Sequence, residues 1–167
     1  DVNLAQLSND ELVELQTHRN DWFVRHARRL LQERAAARND MSDVHTALRA
    51  IGADTASVPK KLRVLWALHV TEGLEEAALH EQLFLGDEHA QAWAIQLLVE
   101  SRAVGTAQSP VVTDQLWDHS TLSETTLKRF EGMARRNPSA LVQLYLASAL
   151  QRIAPDQRLD LAIAMAT

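Results

Sequence analysis

The chain contains no cysteine, which excludes disulfides, thiolate catalysis, cysteine-ligated zinc and c-type haem attachment within this sequence. Five glycines and four prolines in 167 residues are too few for a turn-rich β-sandwich or β-barrel. No apolar run approaches the roughly 18 residues of a membrane span, so we expect no direct membrane insertion. The chain starts at Asp1 with neither a signal-peptide pattern nor an initiator methionine. We therefore expect a fragment of a larger multidomain protein.

Clustered lysine and arginine are also scarce. The chain has 17 basic and 22 acidic residues, and its formal net charge is -5. Because nucleic-acid binding depends on clustered cations, we expect no nucleic-acid partner. One segment differs, since residues 19–38 hold six arginines against Asp21 and Glu33. Three of these, Arg25, Arg28 and Arg29, have the i, i+3, i+4 spacing of one helix face. This face is either a solvated surface or a site for an anion or partner protein.

Apolar residues recur along the whole chain with helical spacing and are interrupted by short breakers. The pattern predicts an all-α fold of about ten helices. Ser8 to Glu11 has the form of a capping box, Gly52 is a predicted C-cap, and Pro155 is predicted to open the last helix. Residues 105–110 predict a linker, and a short helix with Leu116 and Trp117 is expected after it.

Three predicted helices, which follow Asn20, Asp87 and Ser139, share one pattern. A polar cap comes three residues before an apolar position, and a mid-helix position, small in the pattern, follows four residues later. The aligned residues at that later position are Ala27, Ala94 and Leu146. Helix pairs that cannot bury their apolar faces alone gain a continuous core by stacking. The pattern predicts that residues 1–167 form a single α–α superhelix of the HEAT or armadillo type.

Residues 8–34 (SNDELVELQTHRNDWFVRHARRLLQER), 61–70 (KLRVLWALHV), 73–77 (GLEEA) and 87–94 (DEHAQAWA) carry a more specific resemblance, and residues 137–152 are similar. They resemble the HEAT-repeat region of large planctomycete-type membrane-bound dehydrogenases. In that family the region lies between a β-propeller and a c-type haem domain. The resemblance implies the connecting helical region alone, in a periplasmic or exported protein held at the membrane by its parent. Gln91 and Gln143 depart from the family by replacing an arginine common in HEAT helices.

Candidate catalytic and ligand-binding residues form no recognised motif. The seven histidines are His18, His26, His45, His69, His80, His89 and His119. No two of them have the i, i+4 spacing of a metalloprotease helix, so we expect neither metal nor cofactor. Trp66 and Trp93 are expected in the core, Trp117 is ambiguous, and Trp22 is a candidate contact residue because it follows a helix cap.

These observations favour a non-catalytic HEAT-like module that binds a protein partner or joins flanking domains. The expected contact face is the concave side that solenoid curvature creates. The candidate partner-binding residues are Trp22, Arg25, Arg28 and Arg29. One alternative is a HEAT-like DNA-binding protein or DNA glycosylase, which the net charge of -5 disfavours. Another is a metal- or cofactor-assisted enzyme that uses the histidines.

Overall fold

The computed structural model describes residues 3–100 and 121–167. Within them the prediction of an all-α fold is confirmed, because the regular elements are helices and no strand is present. The α-helices are α1 (Asn9–Glu14), α2 (Asp21–Ala36), α3 (Ser42–Asp54), α4 (Val58–Val70), α5 (Glu76–Leu85), α6 (Glu88–Val99), α7 (Glu124–Arg136), α8 (Ala140–Ala149) and α9 (Leu159–Ala166). Short 3₁₀-helices span Leu4–Gln6, Leu15–Thr17 and Pro155–Gln157. The predictions for residues 105–110, Leu116, Trp117 and His119 lie outside the described residues.

The chain divides into two compact units, residues 1–75 and 76–167. In the first unit α1 packs on α2 and α3, and α4 packs on α2 and α3. Leu12, Leu31, Val44 and Leu48 are fully or almost fully buried between these helices. Burial of each such side chain contributes about 1.5–3 kcal/mol, so packing stabilises helices that are too short to persist alone.

In the second unit α6 packs on α5 and α8, while α7 packs on α9. Its core includes Leu79, Ile95, Phe130, Ile153 and Leu161, each at most 2% exposed. Stacking of the two units as one HEAT-like superhelix stays a prediction.

The three helices with the shared pattern have the expected caps. The side chains of Asn20, Asp87 and Ser139 each accept a hydrogen bond from a backbone N–H in the first turn of the helix that follows. Ala27, Ala94 and Leu146 occupy the aligned position seven residues later, and all three are 0% exposed. The pattern therefore identified the start of each helix, and its aligned mid-helix position is buried in all three, although Leu146 is larger than the small residue of the pattern.

Gln91 and Gln143, which replace the HEAT arginine, cover helix ends. The Gln143 amide nitrogen lies 2.9 Å from the Asn137 carbonyl oxygen and 3.0 Å from the Ala134 carbonyl oxygen, at the end of α7. The Gln91 amide similarly donates to the Leu83 carbonyl near the end of α5, at 3.2 Å. The last carbonyls of a helix have no partner within it, so each glutamine supplies a missing donor.

Several predicted boundaries and burials were wrong. Gly52 lies inside α3 rather than ending it, and a Cβ there would lie 3.2 Å from Val64 Cγ1 of α4. This close approach of α3 and α4 leaves little room for a side chain at position 52. Pro155 opens a 3₁₀-helix, while α9 begins at Leu159. Trp66 and Trp93 are half-buried rather than core residues.

Candidate interaction surfaces

The first candidate surface lies on α2 and is formed by Trp22, Arg25, His26 and Arg29, here called the α2 surface. Asn20 caps α2, so Trp22 lies in the first turn of this helix. Trp22 is 51% exposed. The indole ring stacks on the His26 ring with 4.0 Å between ring centroids and an angle of 27°. Because these residues recur every three or four positions, they lie on the face opposite buried Val24 and Ala27.

The arginines predicted for this surface do not all lie on it. Arg25 and Arg29 are exposed, and Arg29 forms an ion pair with Glu33, with 2.8 Å between Nε and Oε1. Arg28 instead lies half-buried at one side of α2, with its guanidinium carbon 5.3 Å from the centre of the Trp66 ring. Burial, followed by the charges of neighbouring arginines, lowers the pKa of Arg28. Arg28 therefore helps to pack α2 against α4, and the expectation of a shared exposed face holds only for Arg25 and Arg29.

Another arginine of the basic segment stabilises the fold. Arg34 donates to the Asn9 side chain at 2.7 Å and to the Leu7 carbonyl at 2.6 Å, which joins α2 to the start of α1. The arginines that give residues 19–38 their excess of positive charge therefore have different roles. Arg25 is the exposed member next to Trp22.

The second candidate surface is a groove of about 650 Å³ between α5 and α7, here called the α5–α7 groove. Its apolar residues include Leu83, Phe84 and Met133, and Phe84 is 73% exposed. The guanidinium carbon of Arg129 lies 4.9 Å from the centre of the Phe84 ring, within the range of a cation–π contact. Lys128 and Arg136 also line the groove. It is therefore an apolar site with a basic edge.

Sequence reasoning missed this groove, although the sequence contains a signal for it. Leu83, Phe84 and Leu85 are consecutive apolar residues in one helix, and consecutive helical residues point about 100° apart. Only Leu83 is buried, while Leu85 is 86% exposed. Lys128, Arg129, Arg135 and Arg136 cluster in α7, but spacing alone does not show that this cluster faces the end of α5.

A polar cluster joins the N-terminal halves of α5 and α7. Ser123 and Thr126 donate their hydroxyl hydrogens to Glu76 Oε1 at 2.7 and 2.8 Å. His80 Nε2 lies 2.8 Å from Thr126 Oγ1, and because that hydroxyl hydrogen goes to Glu76, the imidazole N–H is the donor. Burial is the main cause that lowers the pKa of His80, Arg129 lowers it further, and Glu76 opposes both.

This cluster resembles the composition of a Ser–His–acid site, but its contacts are those of a helix cap. The Ser123 hydroxyl oxygen accepts the Thr126 backbone N–H at 3.2 Å and donates its hydrogen to Glu76, so it contacts no imidazole base. Thr126, which does contact His80, is only 1% exposed and out of reach of a substrate. The cluster holds the start of α7 against α5. A triad needs a base in contact with an accessible nucleophile.

Across residues 3–100 and 121–167, no group of three or more His, Asp or Glu side chains is placed to hold a metal ion. In that part of the chain, no helix combines the length and the apolar character needed to cross a bilayer. Comparisons with protein-family models, curated proteins and solved structures find no match to this chain.

Proposed function

We propose that the chain is a non-catalytic, HEAT-like helical module that binds a protein partner or joins flanking domains of a larger protein. Two features of the fold support the HEAT-like character. The helices after Asn20, Asp87 and Ser139 begin with equivalent caps and bury equivalent residues. Gln91 and Gln143 also make equivalent contacts to the ends of α5 and α7. A parent protein of the planctomycete-type dehydrogenase class, exported and held at the membrane, is part of this proposal.

The exposed, stacked Trp22 is the observation that carries the interaction role. Tryptophan and arginine are enriched among the residues that dominate binding energy at protein interfaces, and Arg25 lies exposed one turn from Trp22. The stacking on His26 restricts the indole ring before any partner arrives. A pre-positioned ring loses less conformational entropy on binding, so more of its buried area contributes to affinity.

The proposal is tested by affinity capture from an extract of the source cells, with three immobilised proteins compared by quantitative mass spectrometry. These are the unmodified chain, the Trp22→Ala/Arg25→Ala variant, and the control Leu144→Ala. Leu144 is 64% exposed on α8 and belongs to the other unit. The control therefore removes an exposed apolar side chain, as Trp22→Ala does, but leaves the α2 surface unchanged. We expect one protein to be enriched by the unmodified chain and the control, and to be lost with the double variant.

The captured protein is then purified and titrated against the same three proteins. A loss of affinity of about tenfold or more for the double variant, with none for Leu144→Ala, supports the α2 surface. Equal binding by all three proteins contradicts it. Titration with a labelled DNA duplex at about 50 and 200 mM salt tests the alternative function, since tight binding that weakens steeply with salt would favour a DNA-binding protein.

A further inference from the structure

We propose that the α5–α7 groove binds an acidic, amphipathic helical segment of a partner protein. This site lies in the second unit and shares no residue with the α2 surface. It therefore goes beyond the proposed function, and each can be tested without the other.

The exposed apolar residues require an apolar occupant. Phe84 is 73% exposed at the end of α5, and half-buried Met133 of α7 lines the same groove. Buried Leu83 provides part of its apolar lining. Each large apolar side chain covered by a partner contributes roughly 1.5–3 kcal/mol, and exposed aromatic rings in a concave site are the usual anchors of an interface. The groove therefore favours an occupant with large apolar side chains of its own.

The charges at the edge of the groove determine which charge the occupant should carry. Lys128, Arg129 and Arg136 line the groove, and none of the described residues that line it is acidic. This is a local reversal, because acidic side chains outnumber basic ones in the described part of the second unit. Glu124 already pairs with Lys128, and within the described residues neither Arg129 nor Arg136 forms an ion pair. Two guanidinium groups are thus available for carboxylates.

The positions of the two arginines favour carboxylates of a partner at this edge. Arg129 extends over the Phe84 ring, so a carboxylate that reaches it comes beside the apolar lining. Arg136 folds back along α7 toward Gly132, where a Cβ would lie 2.9 Å from its Nη2 atom. An occupant with an apolar face and flanking carboxylates satisfies both parts of the groove.

The length of the basic edge favours a peptide helix. Lys128 and Arg136 are eight residues apart on α7, which is about 12 Å at 1.5 Å per residue. That length matches about two turns of a partner helix with apolar residues at i, i+3, i+4 and i+7, a common arrangement for recognition in grooves. The volume of about 650 Å³ accommodates the side chains of such a face rather than a whole helix.

The test uses three synthetic, fluorescein-labelled peptides and the whole chain, with binding followed by fluorescence anisotropy. The probe EEFEELFEELEE has the required apolar face and acidic flanks. The peptide KKFKKLFKKLKK reverses the charge, and EESEESSEESEE removes the apolar face. We expect saturable binding of the first peptide only, weakened severalfold when salt is raised from about 50 to 500 mM, because the cations lie at an exposed edge.

Variants of the chain assign this binding to the groove. Phe84→Ala and the double variant Arg129→Gln/Arg136→Gln are each expected to weaken binding of the acidic probe tenfold or more. The matched controls are Leu159→Ala, which removes another exposed apolar side chain, and Arg152→Gln, which removes an exposed cation outside the groove. Both controls are expected to bind as the unmodified chain does.

Three outcomes would overturn the proposal. They are no binding of the acidic probe at millimolar concentration, equal binding of the basic or serine-containing peptide, and an equal loss in the control variants. Circular dichroism and thermal unfolding of each variant separate a lost contact from a lost fold. Since all the altered residues except Arg129 are largely exposed, we expect the fold to be retained.

Discussion

The substitution Gly73→Ala tests how closely α3 approaches the turn that follows α4. A Cβ on Gly73 would lie 2.3 Å from Cδ2 and 2.6 Å from Cγ of the His45 ring, far inside van der Waals contact. A hydrogen bond also holds the ring in place, since His45 Nε2 lies 2.9 Å from the Thr71 carbonyl oxygen. An added methyl group must therefore displace the imidazole ring and break this hydrogen bond.

The magnitude follows from these contacts. Forced repacking costs about 1–3 kcal/mol, and the lost hydrogen bond costs about 0.5–1.5 kcal/mol. Gly73 does not have a positive φ, so alanine can adopt its backbone conformation. Alanine also lowers the conformational entropy of the unfolded chain, which stabilises the folded state by about 0.4–1 kcal/mol. We expect Gly73→Ala to lower the free energy of unfolding by about 2 kcal/mol.

A double-mutant cycle with His45→Ala isolates the clash. The three nearest atoms to the new Cβ all belong to the His45 ring, so removing the ring removes the closest contacts of the added methyl group. In that background Gly73→Ala is expected to be neutral or to stabilise by about 0.5 kcal/mol. The coupling between the two positions is therefore about 2 kcal/mol, which is large for a pair in contact.

Urea unfolding of the four proteins, followed by tryptophan fluorescence, measures this coupling. Because the chain has two compact units, hydrogen exchange of peptides from α3 and α4 is needed to show that the first unit is the part affected. Equal destabilisation by Gly73→Ala in both backgrounds would refute the reasoning. It would show that the backbone of the turn, not the ring, resists the methyl group.

Three further substitutions have expected outcomes. Gln143→Leu removes the donor at the end of α7 and should lower the free energy of unfolding by about 1–3 kcal/mol, whereas exposed Gln151→Leu should change it little. Leu146→Ala, at a fully buried site, should cost about 2–5 kcal/mol in the same urea assay, and Leu144→Ala, 64% exposed, should cost much less. The pKa of His80 in the folded chain is lowered from 6.5. At lower pH the unfolded chain therefore binds a proton at His80 more readily than the folded chain does, and the free energy of unfolding falls as pH drops below about 6.5. His80→Gln should reduce that fall in midpoint temperature between about pH 7 and pH 5, and an unchanged pH profile would contradict the assignment.

The sequence predicted the helix starts well because capping is local. Ser8 and Glu11 form the expected capping box, with the Ser8 N–H donating to Glu11 at 2.7 Å. Asn20, Asp87 and Ser139 likewise cap the helices they precede. A cap links residues two or three positions apart, so its pattern is visible without the fold. Gly52 failed as a C-cap because its role depends on Val64 of another helix.

The candidate sites were less visible, because neighbours distant in sequence decide them. Arg25 and Arg28 look alike in the sequence, yet Trp66 covers Arg28 and leaves Arg25 exposed. The α5–α7 groove joins Phe84 to Arg129, which lie 45 positions apart. Periodicity describes one face of one helix and does not show which helix meets it.

The sequence by itself determined the helical class, most helix starts and the residues at the centre of the repeated buried faces. Those features arise from spacing within a single helix and from caps between near neighbours. Only the tertiary structure decided which polar side chains stabilise the fold and which remain exposed. Thr126 with His80, and Gln143 with the end of α7, acquire their roles through contacts between helices, as does the pairing of an apolar groove with a basic edge. The free energy of such contacts depends on distances that folding alone establishes.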